Sequence, residues 1–126
     1  MNQDLTNTLF KKYSSLFQPE EIRNDMRQSC MYWGFSCGEG WYDILDRTFA
    51  KFAELNLEGF YIEQVKEKFG GLRIYTNITN DDIEKIIDEA ETEAENTCER
   101  CGKPSSIAVI NHWYSTVCEE CKRKDN

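Results

Sequence analysis

The residues with the most chemistry in them are cysteines. Four of the six cysteines come as two Cys-x-x-Cys pairs, Cys98-Glu99-Arg100-Cys101 and Cys118-Glu119-Glu120-Cys121. One tight turn aims both thiolates of such a pair at a single ion, and Gly102, directly after the first pair, lets the backbone curl beneath the sulfurs. The interval between the pairs falls in the range of a four-cysteine site, so the expectation is one structural Zn2+ held by Cys98, Cys101, Cys118 and Cys121. Four thiolates close a tetrahedron and leave no position for water or substrate, so such an ion folds the chain and takes no part in chemistry. Two disulfides or four free thiols are the alternative. Met-Asn-Gln-Asp-Leu lacks the basic-then-apolar pattern of a signal peptide, and the reducing cytoplasm it implies argues against disulfides.

The remaining candidates for chemistry are weaker. Cys30 and Cys37 have no partner pair and are expected as buried packing residues. A cysteine nucleophile needs a base, and the single histidine, His112, sits in a turn of the zinc segment. The loop Gly34-Phe35-Ser36-Cys37-Gly38-Glu39-Gly40 leads into a helix like an anion cradle, but it lacks the lysine and hydroxyl of a nucleotide-binding loop. Glu39, Asp43 and Asp46 supply carboxylates beside that loop. Asp43 and Asp46 share a helix face, which permits a divalent-cation site, but ordinary surface acids account for them equally simply. The expectation is a chain that is not an enzyme, with an enzyme built on those carboxylates as the second alternative.

Charge narrows the partners. With 23 acidic and 15 basic side chains the net charge is -8, which disfavours attachment to phosphate backbones. Residues 81–95 hold eight acids and one lysine, a net -7 on one segment. That row, with Glu84, Asp88, Glu91 and Glu95 as its candidate contacts, is either a solvated face or an imitation of nucleic acid towards a basic partner. Lys66, Lys68, Arg73 and Tyr75 form a basic and aromatic group suited to an anionic partner or to the protein's own acidic segment. A nucleic-acid-binding regulator is the first alternative, using Arg100, Lys103, Trp113, Lys122, Arg123 and Lys124 of the zinc segment. No apolar run approaches the roughly 20 residues that cross a bilayer, so no membrane association is expected.

The elements that must hold these residues follow from periodicity. Leu5, Leu9, Tyr13, Leu16 and Phe17 predict a helix over 5–17, and Pro19 opens a second, weakly apolar one to about Cys30 with Ile22, Met26 and Cys30 on one side. Trp41, Ile44, Leu45, Thr48, Phe49, Phe52 and Leu55 form the strongest stripe and predict the core helix. Residues 60–69 and 72–77 read as an antiparallel hairpin around Gly70-Gly71, with Val65, Glu67 and Phe69 on one face and Gln64, Lys66 and Lys68 on the other. Thr79 is the expected cap of an acidic helix reaching about Asn96, with Ile83, Ile86, Ile87, Ala90 and Ala94 as its seam. Residues 106–109 and 113–117 predict two short strands with Asn111-His112 at the turn, followed by a helix after Cys118. The fold class is α+β: helices packed on a β-hairpin over residues 1–97, and a C-terminal four-cysteine zinc module over 98–126, treble-clef or zinc-ribbon like, with the helix expected after Cys118 leaning towards the treble clef.

Taken together, Gly34 to Tyr42, Gln64-Val65-Lys66-Glu67-Lys68-Phe69-Gly70-Gly71-Leu72-Arg73-Ile74-Tyr75 and the two cysteine pairs resemble a family of small bacterial and phage zinc-knuckle proteins. The resemblance spans about residues 30 to 121, and the middle segment is its most specific part. It implies a phage or prophage setting and names no activity. Some relatives have histidine in place of a late cysteine, which keeps a metal site and changes only a ligand. The expectation is a zinc-stabilised module that contacts a protein partner, conceivably as a phage-encoded inhibitor of a host or bacterial-immunity protein.

Overall fold

A computed structural model describes residues 1–110 and 112–124 of the chain. Its order is α1 (Gln3–Lys12), α2 (Glu20–Arg23), α3 (Tyr42–Leu55), β1 (Ile62–Lys68), β2 (Gly71–Thr76), α4 (Asp81–Glu95), β3 (Ala108–Ile110), β4 (Trp113–Ser115) and α5 (Glu119–Lys124). The expected class is what is found: helices packed on a small antiparallel hairpin, with a four-cysteine cluster at the C-terminal end. No described helix is long and apolar enough to cross a membrane.

The stripe that predicted the core helix is the centre of the molecule. Trp41, Ile44, Leu45, Phe49 and Phe52 are each no more than 2% exposed. Thr48 is buried among them, and its hydroxyl donates to the Ile44 carbonyl at 2.7 Å, so the one polar group on that face is satisfied within α3. Asn56, in the left-handed conformation that asparagine tolerates, ends the helix.

The N-terminal stripe is buried as its spacing required, but not as one helix. Asn2 caps α1 through its side-chain oxygen, and the helix stops at Lys12, where Tyr13 leaves helical geometry and the chain tightens into a 3₁₀ turn, Ser14–Leu16. That turn still delivers Leu16 and Phe17 to the core, where the Phe17 ring lies 5.6 Å from Phe49 and 5.9 Å from Phe35. The expected second helix to Cys30 is corrected to one turn, α2. Asp25 accepts from the Arg27 N–H at 2.9 Å and from the Gln28 side chain at 2.8 Å, a local turn that competes with helix hydrogen bonding. Little apolar burial opposes that competition, since Met26 is exposed.

In the first hairpin the face assignment holds within the strands, but Phe69, expected beside Val65 and Glu67, falls in the turn, and the turn itself is displaced. Val65 opposes Ile74 and Lys66 opposes Arg73. Val65, Leu72 and Ile74 are buried, and Gln64, Lys66, Lys68, Arg73 and Tyr75 lie on the opposite face. Because Lys68 pairs with Gly71, the two turn residues are Phe69 and Gly70, with φ of 54° and 79°, and not Gly70-Gly71. A two-residue turn with both φ values positive matches the twist of the strands, which is why this register wins although it forces a phenylalanine into the left-handed region. Ser36 covers the outer edge of β1, donating to the Val65 carbonyl at 3.0 Å and accepting from Glu67 at 2.9 Å.

The acidic helix α4 is capped by Asn80, whose side chain accepts from the Ile83 N–H at 2.8 Å, one residue later than expected. Ile83, Ala90 and Ala94 are buried where α4 packs on α3 and β2. After a tight turn at the first cysteine pair, β3 and β4 pair antiparallel, Ile110 opposite Trp113, and α5 carries the last cysteine. The order of knuckle, hairpin and helix is that of a treble clef. The strands are shorter than expected, and Asn111, assigned to their turn, lies outside the described residues.

Candidate metal centre

Cys98 and Cys101 come from the knuckle that follows α4; Cys118 and Cys121 come from the entry and first turn of α5. Their four sulfurs all lie within 4.8 Å of one another. Cys98 Sγ and Cys121 Sγ are 3.9 Å apart, and Cys101 Sγ and Cys118 Sγ are 3.7 Å apart. A disulfide needs about 2.05 Å, and all four cysteines are unbridged. By contrast, four sulfurs at about 2.3 Å from a common ion in a tetrahedron stand about 3.8 Å from one another. The spacing of the sulfurs therefore fits a metal ion at their centre.

The backbone around the sulfurs is arranged for thiolates. Burial opposes ionisation of Cys98, but the N–H groups of Cys101, Cys118 and Arg100 point at its sulfur, and they hold the thiol down to about 6. The Cys118 N–H does so at 3.2 Å. Cys121 goes the other way, pushed up to about 12 by burial and by the neighbouring sulfurs. Four like-charged sulfurs this close repel one another, and a divalent cation between them reverses that repulsion. Gly102 closes the knuckle with φ of 80° and donates to the Cys98 carbonyl at 3.0 Å, as the glycine after the pair led one to expect.

The glycine loop turns out to be the seat of this knuckle. Gly40 N–H donates to the Glu99 carbonyl at 2.7 Å, and Gly38 N–H donates to the Glu99 carboxylate at 2.7 Å. A Cβ on Gly40 would run into the Cys98 carbonyl, and one on Gly38 would run into the Glu99 carbonyl, so these glycines are needed for close approach. The Trp41 indole N–H completes the junction by donating to the Thr97 carbonyl at 3.0 Å. The anion the loop receives is thus the chain's own Glu99, whose carboxyl is raised above its ordinary value by burial, partly offset by the Gly38 N–H. The contact between this loop and Glu99 of the first cysteine pair was not legible from sequence, because Gly38 and Glu99 are 61 residues apart.

The other candidate residues are distributed as follows. Cys37 is buried, and burial pushes its thiol up to about 12, so it is a neutral packing group. Cys30 is exposed, which corrects the expectation of burial and follows from the missing second half of the helix that was to carry it. Of the carboxylates near the loop, Glu39 and Asp43 line one open depression, where Glu39 accepts from the Asn2 side chain at 2.8 Å, whereas Asp46 accepts from Lys12 at 2.9 Å and from the Tyr13 hydroxyl. In the zinc segment, Lys103 pairs with Glu120 at 2.9 Å and Lys122 with Glu119 at 3.9 Å, Arg100 is also engaged, and the Lys124 side chain lies outside the described residues. Trp113 stands exposed.

The acidic helix is partly neutralised by its neighbours. Glu93 pairs with Arg47, Glu89 with Lys51 at 3.3 Å, and Glu91 with Arg73 at 3.8 Å. Glu91 is also partly buried, which raises its carboxyl above the ordinary value, partly offset by Arg73. Glu84, Asp88 and Glu95 make no ion pair among the described residues. Of the hairpin's basic group, Arg73 thus meets the acidic helix, whereas Lys66 and Lys68 lie over the rings of Tyr75 and Phe69 at 5.7 Å and 5.6 Å. No family model matches the chain, and neither a curated protein nor a solved structure does.

Proposed function

We propose that this chain is a small binding protein that works by contact and not by catalysis, its C-terminal segment folded by one structural Zn2+ on Cys98, Cys101, Cys118 and Cys121. The observation that carries this reading is the set of four sulfurs at tetrahedral spacing with two of them, Cys98 and Cys121, buried. An all-thiolate set selects a soft or borderline ion such as zinc, and it leaves no position for a substrate. The ion would hold the knuckle against α5 and contribute folding free energy there. The partner is another protein. Support comes from Glu84, Asp88 and Glu95, an unneutralised row on the outer side of α4 that a basic surface would complement. In its finer form the partner is a host or bacterial-immunity protein that the chain inhibits, which the phage-like segments favour.

Two measurements test this. Elemental analysis of protein purified without added metal is expected to give one zinc per chain, and X-ray absorption is expected to give four sulfur neighbours at about 2.3 Å with no oxygen or nitrogen. A solvent ligand in the first shell would overturn the structural role. Capture from bacterial lysate, compared with a Glu84, Asp88, Glu95 triple-to-lysine variant, is expected to recover a stoichiometric protein only with the unaltered chain. Recovery that ignores the charge reversal would remove the acidic face from the proposal.

A further inference from the structure

Phe69 is in the wrong conformation for its type and in the wrong place for its polarity. A bulky side chain at φ of 54° carries backbone strain, and asparagine or glycine is the residue this turn prefers. The ring regains little of that by burial, being 65% exposed. Beside it, His112 also has positive φ, and the next residues, Trp113 and Tyr114, are 72% and 46% exposed. The two hairpin tips touch: the backbone at Gly70 is packed against that of Tyr114 and Ser115, and the Phe69 ring meets Tyr114 edge-on at 6.1 Å. Between them lies an open depression of about 290 Å³ lined by Glu67, Lys68, Phe69, His112, Trp113 and Tyr114.

Lys68, which lines this depression, belongs to one face of the first hairpin. That face carries Tyr75, Lys66, Arg73 and Lys68 in strand register, and it leads to the tip at Phe69. Arg73 is neutralised by Glu91, but Lys66 and Lys68 have no acidic partner among the described residues and sit over aromatic rings. Glu67, the acid nearest the depression, has its carboxylate turned to the Gly70 N–H at 2.8 Å. Residues 106–117 contain no acid at all. The chain's negative charge is concentrated elsewhere, since -7 of the net -8 resides on α4.

We propose that this strip, Tyr75, Lys66, Lys68, Phe69, Tyr114 and Trp113, is a binding track for single-stranded nucleic acid. The exposed apolar groups of the strip are rings, which offer stacking faces to bases of any sequence, and its free charges are lysines spaced along a strand, which suit a phosphate backbone. It differs from a phosphate contact made by the cations of the metal segment, where Lys103 and Lys122 already have acidic partners. The track neither requires nor excludes a protein partner on α4. It rests on the hairpin and on the folded tail, not on the identity of the ion.

The test uses the full metal-bound chain with fluorescent oligo(dT), oligo(rU) and a duplex of the same length. Single strands are expected to bind and to quench Trp113 fluorescence, the duplex much less so, and the dT and rU arms tell DNA from RNA. With two lysine contacts, affinity should fall about sevenfold between roughly 50 mM and 200 mM salt. Trp113→Ala should weaken binding about tenfold or more, and K66E/K68E should abolish it. Phe69→Asn is the sharpest variant. It restores the preferred turn and should raise the melting temperature by about 3 °C or more, while weakening binding. A chain that binds no single strand at low salt would overturn the proposal and leave the surface to a protein ligand. Binding that survives K66E/K68E, W113A or F69N would overturn it equally.

Discussion

The two hairpins are the same motif held by different physics. In β1 and β2 one face is apolar and covered: Val65, Leu72 and Ile74 are buried in the core, α4 packs on β2, and Ser36 occupies the outer edge of β1. In β3 and β4 the strands are three residues each, and Val109, Trp113 and Tyr114 are exposed. A two-stranded hairpin of that length is marginal by itself in water. At its base stand the four cysteines, and Thr116 is fully buried there. Stability by burial consumes the apolar face of a hairpin; stability by coordination, as proposed for this segment, leaves that face open. That is why the short hairpin and the tip that leans on it can afford exposed rings.

The contrast breaks most visibly if the metal is removed. Metal binding to structural zinc sites is worth about 10–16 kcal/mol of apparent free energy in small modules, so chelation or Cys98→Ser should abolish protection from hydrogen exchange in β3, β4 and α5. Amides of Val65, Leu72 and Ile74 should remain protected; their simultaneous loss would mean that the two hairpins form one cooperative unit. Next in size, Leu72→Ala empties a fully buried site in the first hairpin and should cost about 2–5 kcal/mol by denaturant titration, with zinc content unchanged at one per folded chain. An equal loss of zinc would contradict the separation of the two supports.

Two smaller changes sharpen the junction and the core. Gly40→Ala inserts a methyl where the Cys98 carbonyl and Gly102 N–H pass, and overpacking of this kind costs about 1–3 kcal/mol. It should weaken zinc retention against a competing chelator and lower the melting temperature together, because the glycine belongs to both regions. The smallest effect is one of pH. The Tyr13 hydroxyl and the Lys12 ammonium hold the Asp46 carboxyl below its ordinary value. A carboxyl depressed in the folded state contributes stability above its unfolded pKa of about 3.9 and loses it as pH falls through the folded value. The difference in melting temperature between the unaltered chain and Asp46→Asn should therefore be constant near neutrality and shrink below about pH 4. Glu99 has the opposite sign: burial raises its carboxyl, so its ionised form opposes folding and that penalty fades as the medium is acidified, and Glu99→Gln, which lacks this relief, should lose more stability on acidification than the unaltered chain.

Local patterns in the chain sufficed where a single interaction dominated. The stripe from Trp41 to Phe52 could only be a buried helix face, and the alternation around Val65 could only put Lys66 and Lys68 opposite the core. The double Cys-x-x-Cys with Gly102 specified a four-sulfur cluster, since few other arrangements bring such pairs to one point. Where two local preferences were close in energy the sequence was ambiguous. Asp25 diverted a weak helix into turns, Asn80 displaced Thr79 as a cap, and the register of three glycine-compatible positions moved the turn onto Phe69.

By itself, then, the sequence determined the class of the fold, its core helix and the four-cysteine cluster, because each of these depends on spacing along a few turns of chain. Only the tertiary structure decided that the glycine loop holds Glu99, that Glu91 and Arg73 neutralise one another, and that Phe69 meets Tyr114 at the joined hairpin tips. Those contacts join residues tens of positions apart, and no local pattern encodes which of many compatible surfaces will meet once the chain has closed on its core.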